Sequence, residues 1–202
     1  MTEGSTELGR RGRLFVVSGP SGAGKGTVVE SALAERPDIF LSISATTRPP
    51  RAGERSGVHY NFVPVEEFLA MRDRGDLLEH AEVYGQHKGT PRRPVEEALA
   101  AGRDVLLEID VQGARTVQEA MPEAILVFVQ PPSKEELVRR LRRRGTENPA
   151  DVQRRLEAWD EEMAARSSYD HVVVNDRLED AVRALLRILA GNPADKDRGD
   201  SK

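Results

Sequence analysis

Residues 14–27 read Leu14-Phe15-Val16-Val17-Ser18-Gly19-Pro20-Ser21-Gly22-Ala23-Gly24-Lys25-Gly26-Thr27, and the helix-like Val28-Val29-Glu30-Ser31-Ala32-Leu33 follows. An apolar run, a glycine-rich turn and a helical stretch predict strand, turn and helix in that order. Glycines at such a turn let backbone N–H groups close around phosphate oxygens, the helix N-terminus adds its positive dipole end, and a lysine reaches the terminal phosphates. Spacing, lysine and flanking pattern agree on a P-loop rather than an ordinary glycine-rich turn, with Lys25 as its cation. The residue after the lysine is commonly Ser or Thr, whose hydroxyl ligates Mg2+. Here it is Gly26, with Thr27 next, so the loop holds a metal less directly.

The remaining composition narrows the class. A chain of 202 residues suits one domain that buries a central sheet with helices on both faces. The formal charge of −4, with 32% of residues charged, lacks the basic excess of a general nucleic-acid binder. We therefore expect no nucleic-acid partner, and any positive site is local. The absence of cysteine excludes disulfides, cysteine-ligated zinc and a thiol nucleophile together. His59, His80, His87 and His171 lack paired metal spacing, so no structural zinc is expected. No run approaches a membrane span and the N-terminus has no apolar signal core, which leads to the expectation of a cytoplasmic protein without a membrane partner.

Residues 1–12 and 191–202 are polar and read as flexible tails. The P-loop helix runs to about Arg36, before Pro37-Asp38. Between Phe40 and Phe62, short alternating stretches separated by proline and glycine predict small strands and turns. Arg48 and Arg51 stand three apart across the stiff Pro49-Pro50, and paired guanidiniums suit a phosphate dianion. From these two arginines alone, a solvated basic loop fits equally well. A helix from Glu66 to Arg74, a strand Leu77 to Val83 carrying Glu79, a turn-rich passage Tyr84 to Pro91 and a helix Pro94 to Ala101 follow.

Asp104 to Asp110 reads as an apolar strand with acids at its carboxyl end. Glu108 and Asp110, two apart, are expected on one side of it, near the P-loop, where an acid binds Mg2+ directly or through a metal-bound water. Only one of them need touch the metal shell. Ala124 to Val129 is a near-continuous apolar strand of the kind covered on both faces. Ser133-Lys134-Glu135-Glu136 has capping-box spacing and starts a helix to Gly145, with Glu135–Arg139 and Glu136–Arg140 as i, i+4 pairs. Arg140 and Arg144 share a face and a second helix carries Arg154 and Arg155, so we expect a mobile arginine cover over the P-loop. Trp159 is read as a packing residue. The last strand is Asp170 to Asn175, and the last helix, Glu179 to Ala190, buries Ala181, Val182, Leu185, Leu186 and Leu189.

Strands alternating with helices describe an α/β fold with a mainly parallel sheet. Two inserts, residues 42–92 and 133–167, stand outside a core of residues 13–41, 93–132 and 168–190. A P-loop for one phosphorylated ligand and an arginine site for another suggest phosphoryl transfer between two bound phosphates, with no side-chain nucleophile.

These residues carry a resemblance. From Leu14 to Ala190 the chain resembles guanylate kinase, a P-loop nucleoside monophosphate kinase. The resemblance rests on Gly19 to Thr27, Ser44 to Glu54 with Gly57 and Tyr60, Ile109 to Gly113, Pro131-Pro132-Ser133, Arg144 to Glu147 and Val174-Asn175-Asp176. It implies a GMP-binding insert, a helical lid and the conversion of ATP and GMP to ADP and GDP with Mg2+, with dGMP as a further acceptor. Position by position, it implies that Arg48, Arg51 and Tyr60 hold the GMP phosphate, that Ser44, Glu79 and Thr90 recognise guanine, and that Asp110 faces substrate and holds the metal through water. Arg140, Arg144 and Arg155 fall at its lid and transfer positions.

The chemistry suits those roles. Guanine donates from N1 and N2 to a carboxylate such as Glu79, and its O6 accepts from a hydroxyl such as Ser44 or Thr90. One departure stands out: the family's usual tyrosine two residues before Thr90 is here Lys88, which predicts a changed GMP KM with the reaction retained. Three other readings stay open: a monophosphate kinase of different base preference, a non-catalytic guanylate-kinase-like module for phosphorylated peptides, and a P-loop switch protein. Lys25, Asp110 and the lid arginines count against the second, and the lack of an Asn-Lys-x-Asp motif against the third. The sequence leaves the oligomeric state open.

Overall fold

The computed structural model describes residues 10–83, 85–144 and 149–191, with side chains given except at residues 83, 142–144 and 149–155. Along the chain it forms β1 (Leu14–Ser18), α1 (Lys25–Glu35), β2 (Phe40–Leu41), β3 (Ala45–Thr46), β4 (Asn61–Phe62), α2 (Val65–Asp73), β5 (Leu77–Val83) and β6 (Gln86–Pro91). It continues with α3 (Arg92–Ala100), β7 (Val105–Glu108), α4 (Val111–Ala120), β8 (Ile125–Gln130), α5 (Lys134–Arg144), α6 (Pro149–Ala164), a 3-10 turn at Ala165–Ser168, β9 (His171–Val174) and α7 (Leu178–Leu189).

The alternation of side chains along β1 organises the core. Phe15 and Val17 point to one face, among Val28, Val29 and Ala32 of α1 and Leu185, Ile188 and Leu189 of α7. Leu14 and Val16 point to the other, among Val95 and Leu99 of α3 and Ala114 and Val117 of α4. All of β1 is buried because strands flank it on both sides as well. The resulting sheet, β2-β7-β1-β8-β9, is parallel throughout, as expected for an α/β fold. In α7 Ala181, Val182, Leu185 and Leu189 are buried as expected, Ile188 joins them, and Leu186 packs half-buried against the same core. Crossing to β7 on one side of β1 and β8 on the other opens a crevice at the strands' carboxyl ends, where ligands bind in such sheets.

A second sheet, β4-β3-β6-β5, projects from the first and has its own small core of Ala45, Phe68 and Leu77. Here the structure corrects the reading of residues 84–91 as turns. Residues Gln86–Pro91 form an inner strand, antiparallel to both β5 and β3. Glycine and proline lower its intrinsic propensity, but pairing on both sides prevails. Gly89 also lies so close to β5 that a Cβ there would stand 2.9 Å from the Glu79 carbonyl oxygen.

Two boundaries also move. Residues 10–12, expected in the tail, bond to the domain: Gly12 N–H donates to Leu99 O at 2.9 Å, and Arg10 Nη2 donates to Asp104 Oδ1 at 3.5 Å. The rest of the two expected tails, 1–9 and 192–202, lies outside the described residues. Strand β7 stops at Glu108, because Asp110 turns the chain and caps α4, its Oδ1 accepting from Gly113 N–H at 2.9 Å. Glu108 and Asp110 therefore do not share a strand face, contrary to the spacing argument. Between α5 and α6, Trp159 packs on Leu137 and Leu141, as expected. Among the described residues no helix is long and apolar enough to cross a membrane.

Candidate active site

The expected phosphate loop sits at the carboxyl end of β1, with Lys25 opening α1. Gly24, the residue before that helix, has φ +87°, a left-handed conformation that favours glycine, and a Cβ there would stand 2.5 Å from Asn175 Nδ2. Gly19 leaves still less room: its Cβ would stand 2.1 Å from Val129 O. Pro20, Ser21, Gly22 and Ala23 form the turn between them, and Gly26 and Thr27 face solvent. Lys25 Nζ donates to Gly19 O at 2.6 Å and Pro20 O at 3.0 Å, which folds the ammonium over the loop. Burial pushes Lys25 below the ordinary lysine range, against the raising fields of Glu108, Glu162 and Asp110. Glu162, on α6, accepts from Ser21 N–H at 3.4 Å, a contact that sequence spacing gave no reason to expect.

Glu108 is the acid that the strand brings nearest the loop. It pairs in register with Val17 of β1, and a Cβ on Gly26 would stand 3.4 Å from its Oε1. The carboxylate thus lies beside the position where the commoner loop carries a hydroxyl. Burial raises the Glu108 pKa, and Lys25 and Lys88 oppose the rise. Asp110 has one oxygen on the α4 cap, yet its charge reaches Lys25 as well. Among the described residues no three His, Cys, Asp or Glu cluster as a metal cage. One or two carboxylates beside phosphate oxygens are, however, the usual protein share of a kinase Mg2+ site.

Arg48 and Arg51 do not form a symmetric pair. The Arg48 guanidinium makes a two-pronged bond to Glu54, 2.7 Å on each side, and stacks 5.1 Å from the Tyr60 ring centroid and 5.6 Å from that of Phe62. Glu54 also accepts from Arg51 N–H at 2.7 Å, while the Arg51 side chain is exposed. The Arg48 bond holds the Glu54 carboxyl down at about 2. Glu54 is a positioning residue to which the sequence reading gave no role, although it ends the stretch Ser44 to Glu54 on which the resemblance rests.

Lys88 extends from β6 into the same place, its Nζ 5.8 Å from the Tyr60 centroid. Burial, above all, lowers its pKa; Arg48 and Arg51 add to the fall, and Asp110 and Glu108 oppose it. Burial also raises the Tyr60 pKa, followed by the charge of Glu108. Glu108 and Asp110 thus act on both Lys25 of the loop and Lys88 of β6.

Glu79 and Thr90 are opposite residues of β5 and β6, both buried. Thr90 Oγ1 donates to Glu79 Oε1 at 2.6 Å. That bond uses the only O–H of the threonine, so Thr90 orients the carboxylate while it lasts, and the half-buried Ser44 is left to meet an acceptor on a ligand. Desolvation raises the Glu79 pKa to about 7, against the Thr90 hydrogen bond.

Arg140, expected to cover the P-loop, is anchored beside it. Nε donates to Glu136 at 2.7 Å, Nη2 to Asn175 O at 2.8 Å and Nη1 to Ala23 O at 3.4 Å. Asn175 Nδ2 donates to Ala23 O at 2.8 Å, tying the loop to the turn between β9 and α7. Glu136 also holds Arg139, which the spacing had assigned to Glu135. The side chains of Arg144 and Arg155, and residues 145–148, lie outside those described.

A phosphate loop and a separate arginine-bearing site, opening on shared acids in an α/β sheet, define a P-loop phosphotransferase for two phosphorylated ligands. The family model for guanylate kinase matches residues 11–192. A guanylate kinase of Streptomyces coelicolor is 56% identical over 178 residues, 88% of this chain and 90% of that protein. One from Mycobacterium sp. (strain MCS) is 52% identical over 183 residues, covering 90% and 92%. The crystal structure of guanylate kinase from Anaplasma phagocytophilum superposes with a TM-score of 0.77 at 36% identity, covering 94% of this chain and 90% of that one. The chain belongs to the guanylate kinase family.

Proposed function

We infer that the two sites serve one reaction and that the protein is an ATP:GMP phosphotransferase, converting ATP and GMP to ADP and GDP, with dGMP as a second acceptor. The observation that carries this reading is the junction of the two sites: the Glu108 carboxylate lies 3.4 Å from where a Cβ on Gly26 of the loop would stand, and the helix capped by Asp110 packs at Gly113 against Glu79 of the second sheet. The loop amides and Lys25 bind the β- and γ-phosphates of ATP. Arg48, Arg51, Tyr60 and Lys88 bind the phosphate of GMP, and an oxygen of that phosphate attacks the γ-phosphorus in line. That oxygen is largely ionised at neutral pH, the second phosphate pKa being about 6, so no general base is required. Arg140, Arg144 and Arg155 of α5 and α6 neutralise charge on the transferring group, and closure of residues 133–167 over residues 42–92 limits ATP hydrolysis.

The carboxylates at the loop fit Mg2+: Glu108 would hold it from beside Gly26, and Asp110 through water. When bound, the ion supplies charge neutralisation on the β- and γ-oxygens. ATP and GMP are the partners in this reading, which places the protein in the cytoplasm and invokes no nucleic acid or membrane. Incubation with γ-labelled ATP and GMP tests it. Label should appear in GDP; label released only as inorganic phosphate would contradict transfer.

Lys88 gives a narrower prediction. A lysine meets phosphate as a point charge on a flexible stem, whereas a tyrosine presents one fixed hydroxyl. Lys88→Tyr should shift the GMP KM by about three- to tenfold, or on the order of 1 kcal/mol for one charge-assisted contact, and leave the ATP KM unchanged. Unchanged GMP kinetics would remove Lys88 from the acceptor site.

Glu79 makes GMP recognition pH-dependent. Guanine's two donors require the ionised carboxylate, and the free protein holds that group near 7. Below that pH the ionised fraction falls, so the GMP KM should rise, approaching about tenfold per pH unit. Above it, the KM levels off on this account. In Glu79→Gln the limb centred near 7 should vanish, leaving only the titration of the nucleotide phosphate; a limb that survives belongs to another group.

A further inference from the structure

Gly113 stands in the first turn of α4, three residues after the cap Asp110. Glycine is a poor helix former, and Gly113 is not one of the chain's left-handed glycines, so neither propensity nor backbone conformation calls for it. The surroundings do. A Cβ at this position would stand 2.6 Å from Glu79 Oε2, 3.1 Å from Glu79 Cδ and 3.4 Å from Ile109 Cδ1.

The carboxylate has little freedom to retreat. Glu79 is 4% exposed, its Oε1 is held by Thr90 Oγ1 at 2.6 Å, and its strand is paired to β6 at that residue. The contact with Gly113 is one of shape, because Gly113 N–H already donates to Asp110 Oδ1 at 2.9 Å. One oxygen is thus fixed by a hydrogen bond and the other by close approach of a helix backbone. Together they set the plane in which the carboxylate meets the base.

We propose that Gly113 is a positioning residue for guanine recognition: the space left by its missing side chain is the space that Glu79 Oε2 occupies, and a side chain there turns the carboxylate away from the base. The proposal rests on Glu79 reading guanine, and it extends that role to a residue that touches no substrate. Asp110 then does two things for the acceptor site, since its cap bond holds the turn in which Gly113 lies.

Gly113→Ala should raise the GMP KM at least tenfold, change kcat less than threefold and leave the ATP KM in place. Its preference for GMP over IMP, which lacks the 2-amino donor, should fall by a similar factor, because IMP has less to lose when the carboxylate turns. A purely structural role would not move that ratio. Urea unfolding supplies the second readout. Gly113→Ala should lower the midpoint in the natural background and leave it unchanged or raise it in Glu79→Ala, where the clash is gone. Folding of the double variant where Gly113→Ala alone fails to fold would support the same conclusion. An unchanged GMP KM, equal losses for GMP and ATP, or the same midpoint shift in both backgrounds would overturn it. The unfolding cycle does not depend on base reading. Wild-type GMP kinetics in Glu79→Gln would therefore sink the role of Glu79, while an additive cycle sinks that of Gly113.

Discussion

Glu79→Gln is expected to lower kcat/KM for GMP by about a thousandfold, on the order of 4 kcal/mol, and to leave ATP binding nearly untouched. The carboxylate offers two acceptor oxygens. Thr90 bonds one of them at 2.6 Å, and the pair lies buried between β5, β6 and α4. Glutamine keeps the size but replaces one acceptor with a donor. If its oxygen stays on Thr90, its NH2 faces the two donors of guanine, and buried donors left facing each other cost more than a lost bond. The expected effect is therefore larger for the isosteric amide than hydrogen-bond deletion alone gives. Steady-state kinetics with GMP, set beside direct titration of ATP, distinguishes this from damage to the fold. Equal losses for both nucleotides would remove Glu79 from base recognition.

The second large effect is at Arg48. Arg48→Ala should reduce kcat/KM for GMP by about a thousandfold, because a two-pronged phosphate cation is lost and the half-buried Glu54 carboxylate loses its guanidinium partner. Glu54 now lies 2.7 Å from the guanidinium, with its carboxyl held at about 2. Without Arg48 it keeps the Arg51 N–H at 2.7 Å and presents its negative charge where the GMP phosphate should bind. Arg48→Ala with Glu54→Gln should therefore recover part of the loss, roughly tenfold, although each single change is harmful. A double variant as poor as the product of its parents would mean that Glu54 and the phosphate do not compete for one guanidinium.

What the sequence disclosed followed the range of the interactions. The P-loop is local chemistry: its glycines, Lys25 and the strand and helix around them lie within some twenty residues, so spacing alone was enough. The central sheet was legible for the same reason, since continuous apolar runs such as Ala124 to Val129 mark strands covered on both faces. Strand β6 was not. Its glycine, lysine, threonine and proline have turn-like preferences, and only its position between β3 and β5 makes it a strand.

Asp110 was placed on β7 because the apolar pattern continues through Ile109, whereas the cap bond to Gly113 is a decision of the tertiary fold. The resemblance pointed to Glu79 and Thr90 as separate contacts with guanine, but their mutual bond depends on the β5–β6 register. Glu162 could not be found at all from sequence, as its contact with Ser21 spans 141 residues. The positions of Lys25 and Arg140 beside the loop were thus readable, and the contacts of Glu54 and Glu162 were not.

The most direct test is a coupled ADP-release assay run with GMP, dGMP, AMP and UMP in turn. If Glu79 selects the base and the Arg48 site holds its phosphate, GMP and dGMP are used with comparable kcat/KM, and AMP and UMP are slower by at least a hundredfold, the discrimination available from unpaired buried polar groups. Comparable rates with AMP or UMP, or no acceptor-dependent ADP at all, would contradict the account.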